Sequence, residues 1–453
     1  MPVTRVLVAN RGEIALRIIR ACQGLGIATV LAHSEADRDS LGARIADRAV
    51  CIGPASATQS YLDARLLVNA ALATGCDALH PGYGFLAESA ELSRLCADNG
   101  IAFVGPQPEQ IAQMGNKIRA RQLAAQVGLP TLSGSTQVAS AEEAVEIARR
   151  VGLPMMIKAA AGGGGRGMKI VQREEDMAPM FTAASNEARA AFGDGTLYLE
   201  RYIANARHIE VQVLADQHGN VIHLGERDCS LQRRHQKLVE EAPAPNISED
   251  LRQRIREAGV ALARGFGYEN AGTVEFIVDQ DAQDFYFLEM NTRIQVEHPV
   301  TEMVTGIDLV QEQLRVARGE RLRFAQDDVQ LRGHAIECRI NAEHVEQGFR
   351  PSPGLITAWD PPAGPNIRLD SHCHAGYKVP IFYDSMIGKL IVYGTDRKEA
   401  LERMSRALEL FRVEGVATTI GFQHFLVNQP RFASGQVNTK LVEEVLPQLA
   451  AAQ

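Results

Sequence analysis

The chain has 453 residues, of which 45% are apolar and 23% are charged, and its formal net charge is −8. This length exceeds one simple core, so we expect a globular protein of two or three domains. The acidic balance argues against nucleic acid as a partner, because phosphate binding requires an excess or a patch of Lys and Arg. The apolar run near the start is too short for a signal peptide or a membrane span, which predicts a cytoplasmic protein without a membrane partner. Seven scattered cysteines without a C-x-x-C pair indicate neither a disulfide framework nor a zinc site.

Residues 1–115 alternate between predicted strands and helices. Strands at Val6–Ala9 and Ile27–Ala32 flank an amphipathic helix at Glu13–Leu25, which makes a βαβ unit. The alternation continues through a helix at 62–73 and short apolar strands at 78–79 and 101–105. We therefore predict a parallel, Rossmann-like α/β domain. Its first turn lacks the G-x-G-x-x-G fingerprint, which disfavours dinucleotide binding.

A predicted helical region at 116–150 is followed by a glycine-rich loop, Gly162–Gly167, between predicted strands at 154–160 and 168–171. The loop lacks the Lys and Ser or Thr that end a Walker A motif, and a strand follows where a Rossmann turn would begin a helix. With Lys158 on the strand that leads in, this pattern is typical of a flap that closes over nucleotide phosphates. A surface hairpin without a ligand is the alternative, but successive glycines cost entropy that a plain hairpin does not require.

Two segments, residues 272–279 and 285–291, are separated by a polar turn and predict an antiparallel hairpin. A turn centred on Ala282 places Glu275 opposite Glu289, since both are equidistant from it. Two carboxylates that face each other across a strand pair repel, so we expect a cation between them. Mg²⁺ suits this position because it is a hard ion that takes oxygen ligands and bridges phosphates.

Functional side chains then occur at every second residue: Glu289, Asn291, Arg293, Gln295 and Glu297. In an extended segment all five would share one face. A solvent-facing strand is the plain alternative. Arg and Gln beside a two-carboxylate metal site would, however, supply donors for a small planar anion, and a further carboxylate would be available as a base.

Eight segments of the chain resemble signatures of one family, the biotin carboxylases of the ATP-grasp superfamily. They follow one another in the family's order, and the resemblance covers residues 3–445. The segments are ANRGEIA (9–15), HPGYGFLAE (80–88), KAAAGGGGRGM (158–168), ERDCSLQRRHQK (226–237), EEAPAP (240–245), EMNTRIQVEHPVTE (289–302), ECRINAE (337–343) and YDSMIGK (383–389).

The resemblance implies roles for several groups of residues. The ATP-binding group is Lys117, Lys158, Gly163, Gly164, Gly165, Gly167, Glu200, Arg201, Ile203, His208, Gln232, His235, Glu275 and Glu289. Within it, the glycines form a mobile lid and residues 200–203 form a hinge that contacts adenine. The implied ligands for Mg²⁺ or Mn²⁺ are Glu275, Glu289 and Asn291. Bicarbonate is expected at Lys237, Arg293, Gln295 and the Val296 backbone, and biotin at Tyr83 and Arg339, with Glu88 nearby. The catalytic group is Glu297, Arg339, Lys237 and Arg293.

By the same resemblance, the reaction is an ATP-dependent ligation. Glu297 deprotonates bicarbonate, which attacks the γ-phosphate of ATP to give carboxyphosphate and ADP. Carboxyphosphate breaks down to CO₂ and phosphate, and the phosphate takes the proton from the ureido N1 of biotin. The biotin enolate, held by Arg339, then attacks CO₂. A closed lid would keep water away from carboxyphosphate.

The chain lacks the Met-Lys-Met motif that receives biotin, so biotin is expected on a separate biotin carboxyl carrier protein. Carboxyltransferase subunits, as in acetyl-CoA carboxylase, would pass the carboxyl group to an acceptor that the sequence does not identify. A homodimer is expected, although Gly24 stands where family members often carry an acidic residue near the dimer interface. The implied domains are residues 1–115, an ATP-grasp domain at 116–325 with its lid at 132–203, and a C-terminal domain at 333–445.

Two other functions remain open. Another ATP-grasp ligase, of the carbamoyl-phosphate or purine-pathway type, would share the flap and the metal glutamates but would not require ECRINAE or YDSMIGK. A non-catalytic nucleotide-binding regulatory module could keep the fold and lose Glu297 or Arg339. Both residues are present, which favours a catalytic chain.

Overall fold

A computed structural model describes residues 3–135, 137–160 and 168–452 of the chain. Its N-terminal region is a five-stranded parallel sheet in the order β3-β2-β1-β4-β5. The strands are β1 Arg5–Val8, β2 Ala28–His33, β3 Arg48–Cys51, β4 Ala78–His80 and β5 Ala102–Phe103. The helices are α1 Gly12–Gly24, α2 Leu41–Ile45, α3 Ala64–Thr74 and α4 Ala90–Asp98.

Helices cover both faces of this sheet. Val6 and Val8 of β1 pack with α1, whereas Leu7 between them packs with α3 and α4 on the other face. Strands buried on both faces have continuous apolar sequences, as β1 does. The predicted parallel α/β domain is confirmed.

The next region contains a small antiparallel sheet in the order β7-β6-β8. Its elements are α5 Pro108–Gly115, α6 Lys117–Gln126, α7 Ala141–Val151, β6 Met155–Ala159, β7 Lys169–Val171, α8 Glu174–Phe192 and β8 Leu197–Arg201. The predicted helix over residues 116–150 is right for α6 and α7 but wrong between them. Gly128 has a φ of 79° and Pro130 follows, and a proline cannot donate the hydrogen bond that a continuing helix needs. The glycine-rich loop lies outside the described residues.

An eight-stranded antiparallel sheet dominates the rest of the chain, in the order β13-β12-β9-β10-β11-β14-β21-β19. Its first six strands along the chain are β9 Ala206–Ala215, β10 Val221–Arg233, β11 Gln236–Ala242, β12 Asn270–Asp279, β13 Asp284–Asn291 and β14 His334–Asn341. They are followed by β15 Glu343–His344, β16 Arg350–Pro351, β17 Gly354–Leu355, β18 Ala358–Asp360, β19 Ile367–Asp370, β20 Lys378–Val379, β21 Met386–Gly394 and β22 Arg412–Glu414.

Because β14 pairs with β11, the C-terminal strands extend the same sheet. The helices of this half are α9 Glu249–Gly265, α10 His298–Thr305, α11 Leu309–Ala317, α12 Arg397–Leu410, α13 Ile420–Val427, α14 Pro430–Ala433 and α15 Leu441–Ala452. Helix α11 packs on α1 through one shared apolar cluster, which joins the N-terminal domain to the large sheet. Among the described residues, no helix combines the length and the apolar character needed to cross a membrane.

Candidate active site

Four charged residues form a row across the large sheet. Glu289 on β13 is opposite Glu275 on β12, Glu275 is opposite Glu210 on β9, and Glu210 is opposite Arg227 on β10. Directly opposite residues present their side chains on the same face, so three carboxylates are neighbours there. The predicted pairing of Glu275 with Glu289 is confirmed. Such a row is destabilising unless cations lie beside it.

Lys237, on β11, is a cation that contacts two carboxylates of this row. Its Nζ lies 2.6 Å from Glu210 Oε2 and 3.1 Å from Glu275 Oε1. The same atom lies 2.5 Å from Glu297 Oε1. Burial lowers the pKa of Lys237, but the three carboxylates outweigh burial and hold the pKa well above its usual value. Lys237 is therefore a permanent positive charge at the centre of the site.

Arg227 is fully buried and fixes the neighbouring amide of Gln295. Its Nε donates to Glu210 Oε1 at 2.7 Å and its Nη2 donates to Gln295 Oε1 at 3.0 Å. The Gln295 amide nitrogen consequently faces Glu275 and donates to its Oε1 at 2.8 Å. Arg227 therefore orients the Gln295 amide, and that amide in turn contacts Glu275.

The segment after β13 is not the extended strand that the alternation predicted. Residues 292–297 bend and turn, and Glu297 lies at the N-terminal boundary of α10. Pro299 occupies the first turn of that helix, where a proline is well tolerated and favours helix initiation. The functional side chains nevertheless converge: Arg293 Nη2 donates to Asn291 Oδ1 at 3.0 Å, and Arg293 Nε lies 3.0 Å from Glu88 Oε2.

Glu297 is held between Lys237 and Arg339. Arg339 Nη2, from β14, lies 3.0 Å from Glu297 Oε2 and 2.5 Å from Glu240 Oε1. Burial raises the pKa of Glu297, but Lys237 and Arg339 outweigh it and hold the pKa well below its usual range. For Glu240, burial and the nearby Glu297 charge outweigh Arg339 and raise the pKa to about 7. Glu297 is therefore ionised in this arrangement.

The carboxylates near the end of the hairpin fit a hard divalent cation. Asn291 Nδ2 donates to Glu275 Oε1 at 2.8 Å, so the predicted ligands Glu275 and Asn291 are adjacent, with Glu289 opposite Glu275. Carboxylate and amide oxygens are the ligands that Mg²⁺ and Mn²⁺ take in proteins. His208 and Glu210 lie on the other side of Glu275, and one atom of each of these three residues lies within 4.8 Å of the others.

The two lysines that are predicted to bind the nucleotide phosphates each contact a carboxylate. Lys117 Nζ lies 2.9 Å from Glu289 Oε2, and Lys158 Nζ lies 2.5 Å from Glu200 Oε2. Arg121 also contacts the Glu200 carboxylate. The buried Glu200 side chain therefore serves as an anchor for two cations, while its strand carries the predicted hinge.

The other residues that are predicted to bind the nucleotide differ in their exposure to solvent. Ile203 and Gln232 are buried, and Gln232 is opposite Lys237 in the β10–β11 hairpin. Arg201 and His235 are exposed, and His235 has a φ of 65° at the turn of that hairpin. Gly163, Gly164, Gly165 and Gly167 lie outside the described residues.

The predicted biotin residue Tyr83 is held by the N-terminal domain. Its hydroxyl donates to Glu13 Oε1, and the Asn10 amide donates to its carbonyl at 2.7 Å. Glu13 is in turn 3.1 Å from Nζ of Lys389 on β21. The pKa of Tyr83 is raised well above its usual value by burial and by the Glu13 charge, so the phenol remains protonated.

Sequence reasoning missed Glu210, Arg227, Glu240, Glu13 and Lys389 as residues of this site. A signal existed for Glu210, because His208, Glu210 and Gln212 alternate with the apolar Ile209, Val211 and Val213 and so share one face. Glu13 and Lys389 lay within the quoted segments ANRGEIA and YDSMIGK without an assigned role. Their pairing depends on contact between the two ends of the chain.

Family profiles match almost the entire chain. The profile described as "Biotin carboxylase, N-terminal domain" matches residues 2–111, and "Biotin carboxylase C-terminal domain" matches residues 337–444. Residues 116–325 match "Carbamoyl-phosphate synthase L chain, ATP binding domain". A biotin carboxylase from Nostoc sp. is 53% identical over 98% of this chain and 100% of that protein. The chain belongs to the biotin carboxylase family.

Solved structures agree with this membership. The biotin carboxylase of Campylobacter jejuni, in a complex described as beta-gamma-ATP, superposes with a TM-score of 0.95 at 47% identity, covering 98% of this chain and 99% of that one. The biotin carboxylase domain dimer of the Hydrogenobacter thermophilus 2-oxoglutarate carboxylase, with MgADP and bicarbonate, gives 0.94 at 47% identity, covering 98% of each chain. The predicted ATP-grasp fold is confirmed, and the chain is an ATP-dependent ligase of the biotin carboxylase type. The carbamoyl-phosphate alternative shares only the central profile.

Proposed function

We propose that this chain carboxylates the ureido N1 of biotin, which a separate biotin carboxyl carrier protein presents, and that it uses ATP and bicarbonate. The observation that carries this proposal is Glu297 between Lys237 and Arg339. Two anionic species arise in the reaction, a phosphorylated carbonate and a biotin enolate. Each cation is suited to stabilise one of them, and the carboxylate between them is suited to move the proton.

Glu297 becomes a competent base when its partners turn to the substrates. Lys237 contacts the γ-phosphate and bicarbonate, and Arg339 contacts the ureido oxygen of biotin. Each such contact removes a positive charge from Glu297, so its pKa rises toward the usual value. Arg293, the Gln295 amide and the Val296 backbone N–H hold bicarbonate beside it.

The bonds change in two steps. Glu297 takes the bicarbonate proton as a bicarbonate oxygen bonds to the γ-phosphorus and the bond to ADP breaks. Carboxyphosphate then splits into CO₂ and phosphate, the phosphate takes the N1 proton of biotin, and N1 bonds to the CO₂ carbon. Arg339 stabilises the enolate oxygen, and Tyr83 positions the ureido ring.

The nucleotide occupies the face between the small and the large sheets. Lys117 and Lys158 bind its phosphates, with His208, Gln232 and His235 around the ribose and phosphates. The backbone of Glu200, Arg201 and Ile203 contacts adenine. Glu275, Glu289 and Asn291 would hold Mg²⁺ or Mn²⁺, which offsets phosphate charge when bound.

The assembly around the chain follows from the same family membership. Carboxyltransferase subunits accept the carboxyl group from the carrier, as in acetyl-CoA carboxylase or a related enzyme. The proposed location is the cytoplasm, and the proposed state is a homodimer, which the dimeric Hydrogenobacter relative supports. Its domains comprise residues 1–115, 116–325 with a lid at 132–203, and 333–445.

Bicarbonate-dependent ATP hydrolysis, measured with and without free biotin, tests the proposal. We expect hydrolysis that requires bicarbonate and increases with biotin, with carboxybiotin as the product. Glu297→Gln is the matched variant, because it keeps the shape of the side chain and removes the base. Formation of carbamoyl phosphate from ammonia would instead favour another ATP-grasp ligase, and nucleotide binding without turnover would favour a regulatory module.

A further inference from the structure

Lys389 is fully buried, with 0% of its side chain exposed, and it is directly opposite Arg339 on the neighbouring strand. Two like charges opposite each other in a sheet are destabilising, and a buried ammonium group loses its hydration. This lysine therefore requires strong compensating contacts, and the groups that make them are the groups that Lys389 can position.

Those contacts come from three other parts of the chain. Lys389 Nζ donates to the Val296 carbonyl at 2.8 Å and lies 3.1 Å from Glu13 Oε1. Asp370, on the adjoining strand, is 3.9 Å away. Burial lowers the pKa of Lys389, but the carboxylates of Glu13, Glu337 and Asp370 outweigh it and raise the pKa, so the ammonium group is charged.

Each of the two main contacts leads to a different substrate. The Val296 carbonyl belongs to the peptide group that joins Val296 to Glu297, so its hydrogen bond fixes the orientation of that peptide plane. Glu13 accepts the hydrogen bond of the Tyr83 hydroxyl, and the Tyr83 ring centre is 5.9 Å from Lys389 Nζ. One ammonium group thus contacts the loop proposed for bicarbonate and the carboxylate that orients the tyrosine proposed for biotin.

We propose that Lys389 is a positioning residue. It sets the distance between residues 293–296, the loop proposed to bind bicarbonate, and Tyr83, the tyrosine proposed to bind biotin. This inference rests on the proposed function, since it depends on the roles given there to Val296 and Tyr83. Lys389 acts through these residues and does not contact substrate. Lys117 on α6 and Lys158 on β6, which are proposed to bind the nucleotide, contact Glu289 and Glu200, so we expect ATP binding to be unaffected by the loss of Lys389.

Three variants and a control test the inference in the full chain. They are Lys389→Met, Glu13→Gln, the double variant Glu13→Gln/Lys389→Met, and the exposed lysine control Lys398→Met. Steady-state kinetics give the KM values for biotin, bicarbonate and ATP, and melting temperatures report folding. For Lys389→Met, we expect the KM values for biotin and bicarbonate to rise about tenfold to a hundredfold and the KM for ATP to change less than about twofold.

The double variant separates positioning from stability. Lys389→Met alone leaves the buried Glu13 carboxylate without its ammonium partner, whereas the double variant removes both charges. We expect the double variant to recover much of the lost melting temperature and to keep the raised KM values for biotin and bicarbonate. Recovery of those KM values together with stability would show a structural ion pair and overturn the inference, as would unchanged KM values in Lys389→Met.

Failure of this inference can be told apart from failure of the proposed function. A wild-type chain that does not carboxylate biotin contradicts the proposed function and, with it, the positioning role. An active wild type whose variants retain normal KM values contradicts the positioning role alone. Lys398→Met should match the wild type in every measurement, because the Lys398 side chain is 85% exposed and its nearby carboxylate is the exposed Glu402.

Discussion

Replacing Arg339 by serine should separate the biotin chemistry from the ATP chemistry. Arg339 contacts Glu240 and Glu297. Lys237 contacts Glu297 and also Glu210 and Glu275. Without Arg339, Glu297 retains Lys237 as a partner. The step that forms carboxyphosphate therefore keeps its base and its cation, and the step that forms the biotin enolate loses its cation.

The magnitude follows from the environment of the guanidinium group. The Arg339 side chain is only 17% exposed, and in such a partly desolvated site a contact to a developing negative charge is worth about 3–4 kcal/mol. This corresponds to a loss of about a hundredfold to a thousandfold in biotin carboxylation. Bicarbonate-dependent ATP cleavage without biotin should fall by less than about tenfold, since no enolate forms in that reaction.

Two assays on the same preparation measure this difference. Carboxybiotin is quantified at saturating ATP, and ADP release is measured with bicarbonate alone, with folding checked by circular dichroism and ATP affinity by titration. Arg339→Lys is the companion variant, because it keeps a positive charge without the planar fork. An equal loss of both activities in a folded Arg339→Ser variant would refute the assignment of Arg339 to biotin.

Three further changes test other parts of the site. Glu289→Gln should raise the Mg²⁺ concentration for half-maximal turnover by about tenfold or more, and an unchanged Mg²⁺ dependence would contradict the metal site. Lys237→Gln should lower both ATP cleavage and biotin carboxylation by about a hundredfold, so retained ATP cleavage would exclude its phosphate role. Although burial opposes it, the hydrogen bond from His334 and the charge of Arg397 lower the pKa of Glu241 to about 2. These contacts of Glu241 therefore contribute up to about 3 kcal/mol to the free energy of unfolding at pH values above the ordinary carboxyl pKa, and this stability is lost as pH falls toward 2. The melting temperature of Glu241→Gln should consequently depend less on pH, below about pH 4.5, than that of the wild type.

The hairpin could be predicted because its pattern is local. Equal spacing about Ala282 placed Glu275 opposite Glu289, and this pairing is observed, but it holds only on one side of a β-bulge. Beyond Glu275 the register shifts, so Phe276 is opposite Phe287. The alternation from Glu289 to Glu297 predicted convergent side chains for the wrong geometric reason, since the chain turns into α10 and does not continue as a strand.

Buried charge partners could not be predicted in the same way. Glu13 and Lys389 lie near opposite ends of the sequence, and their contact depends on packing of the N-terminal domain against the end of the large sheet. Glu240 was missed for a related reason: its partner Arg339 lies on β14, 99 residues later in the chain than Glu240. Periodicity shows that such a residue faces inward, but not which opposite charge meets it.

The ion pairs of the site suggest why proton abstraction waits for the substrates. Lys117, Lys158, Lys237 and Arg293 each contact a protein carboxylate at the position from which, by the proposed function, they bind an anionic substrate group. Substrate anions therefore replace carboxylates that already neutralise these cations, so the site exchanges one ion pair for another and avoids burying unpaired charge. For Lys237 the exchange has a chemical consequence. Until its ammonium group turns to the phosphate and bicarbonate, Glu297 is too weak a base to take the proton, because the ion pair holds its pKa well below the usual range. Under the proposed function, binding of ATP and bicarbonate would therefore convert Glu297 into the base, so bicarbonate would be activated only where the γ-phosphate is present to receive it.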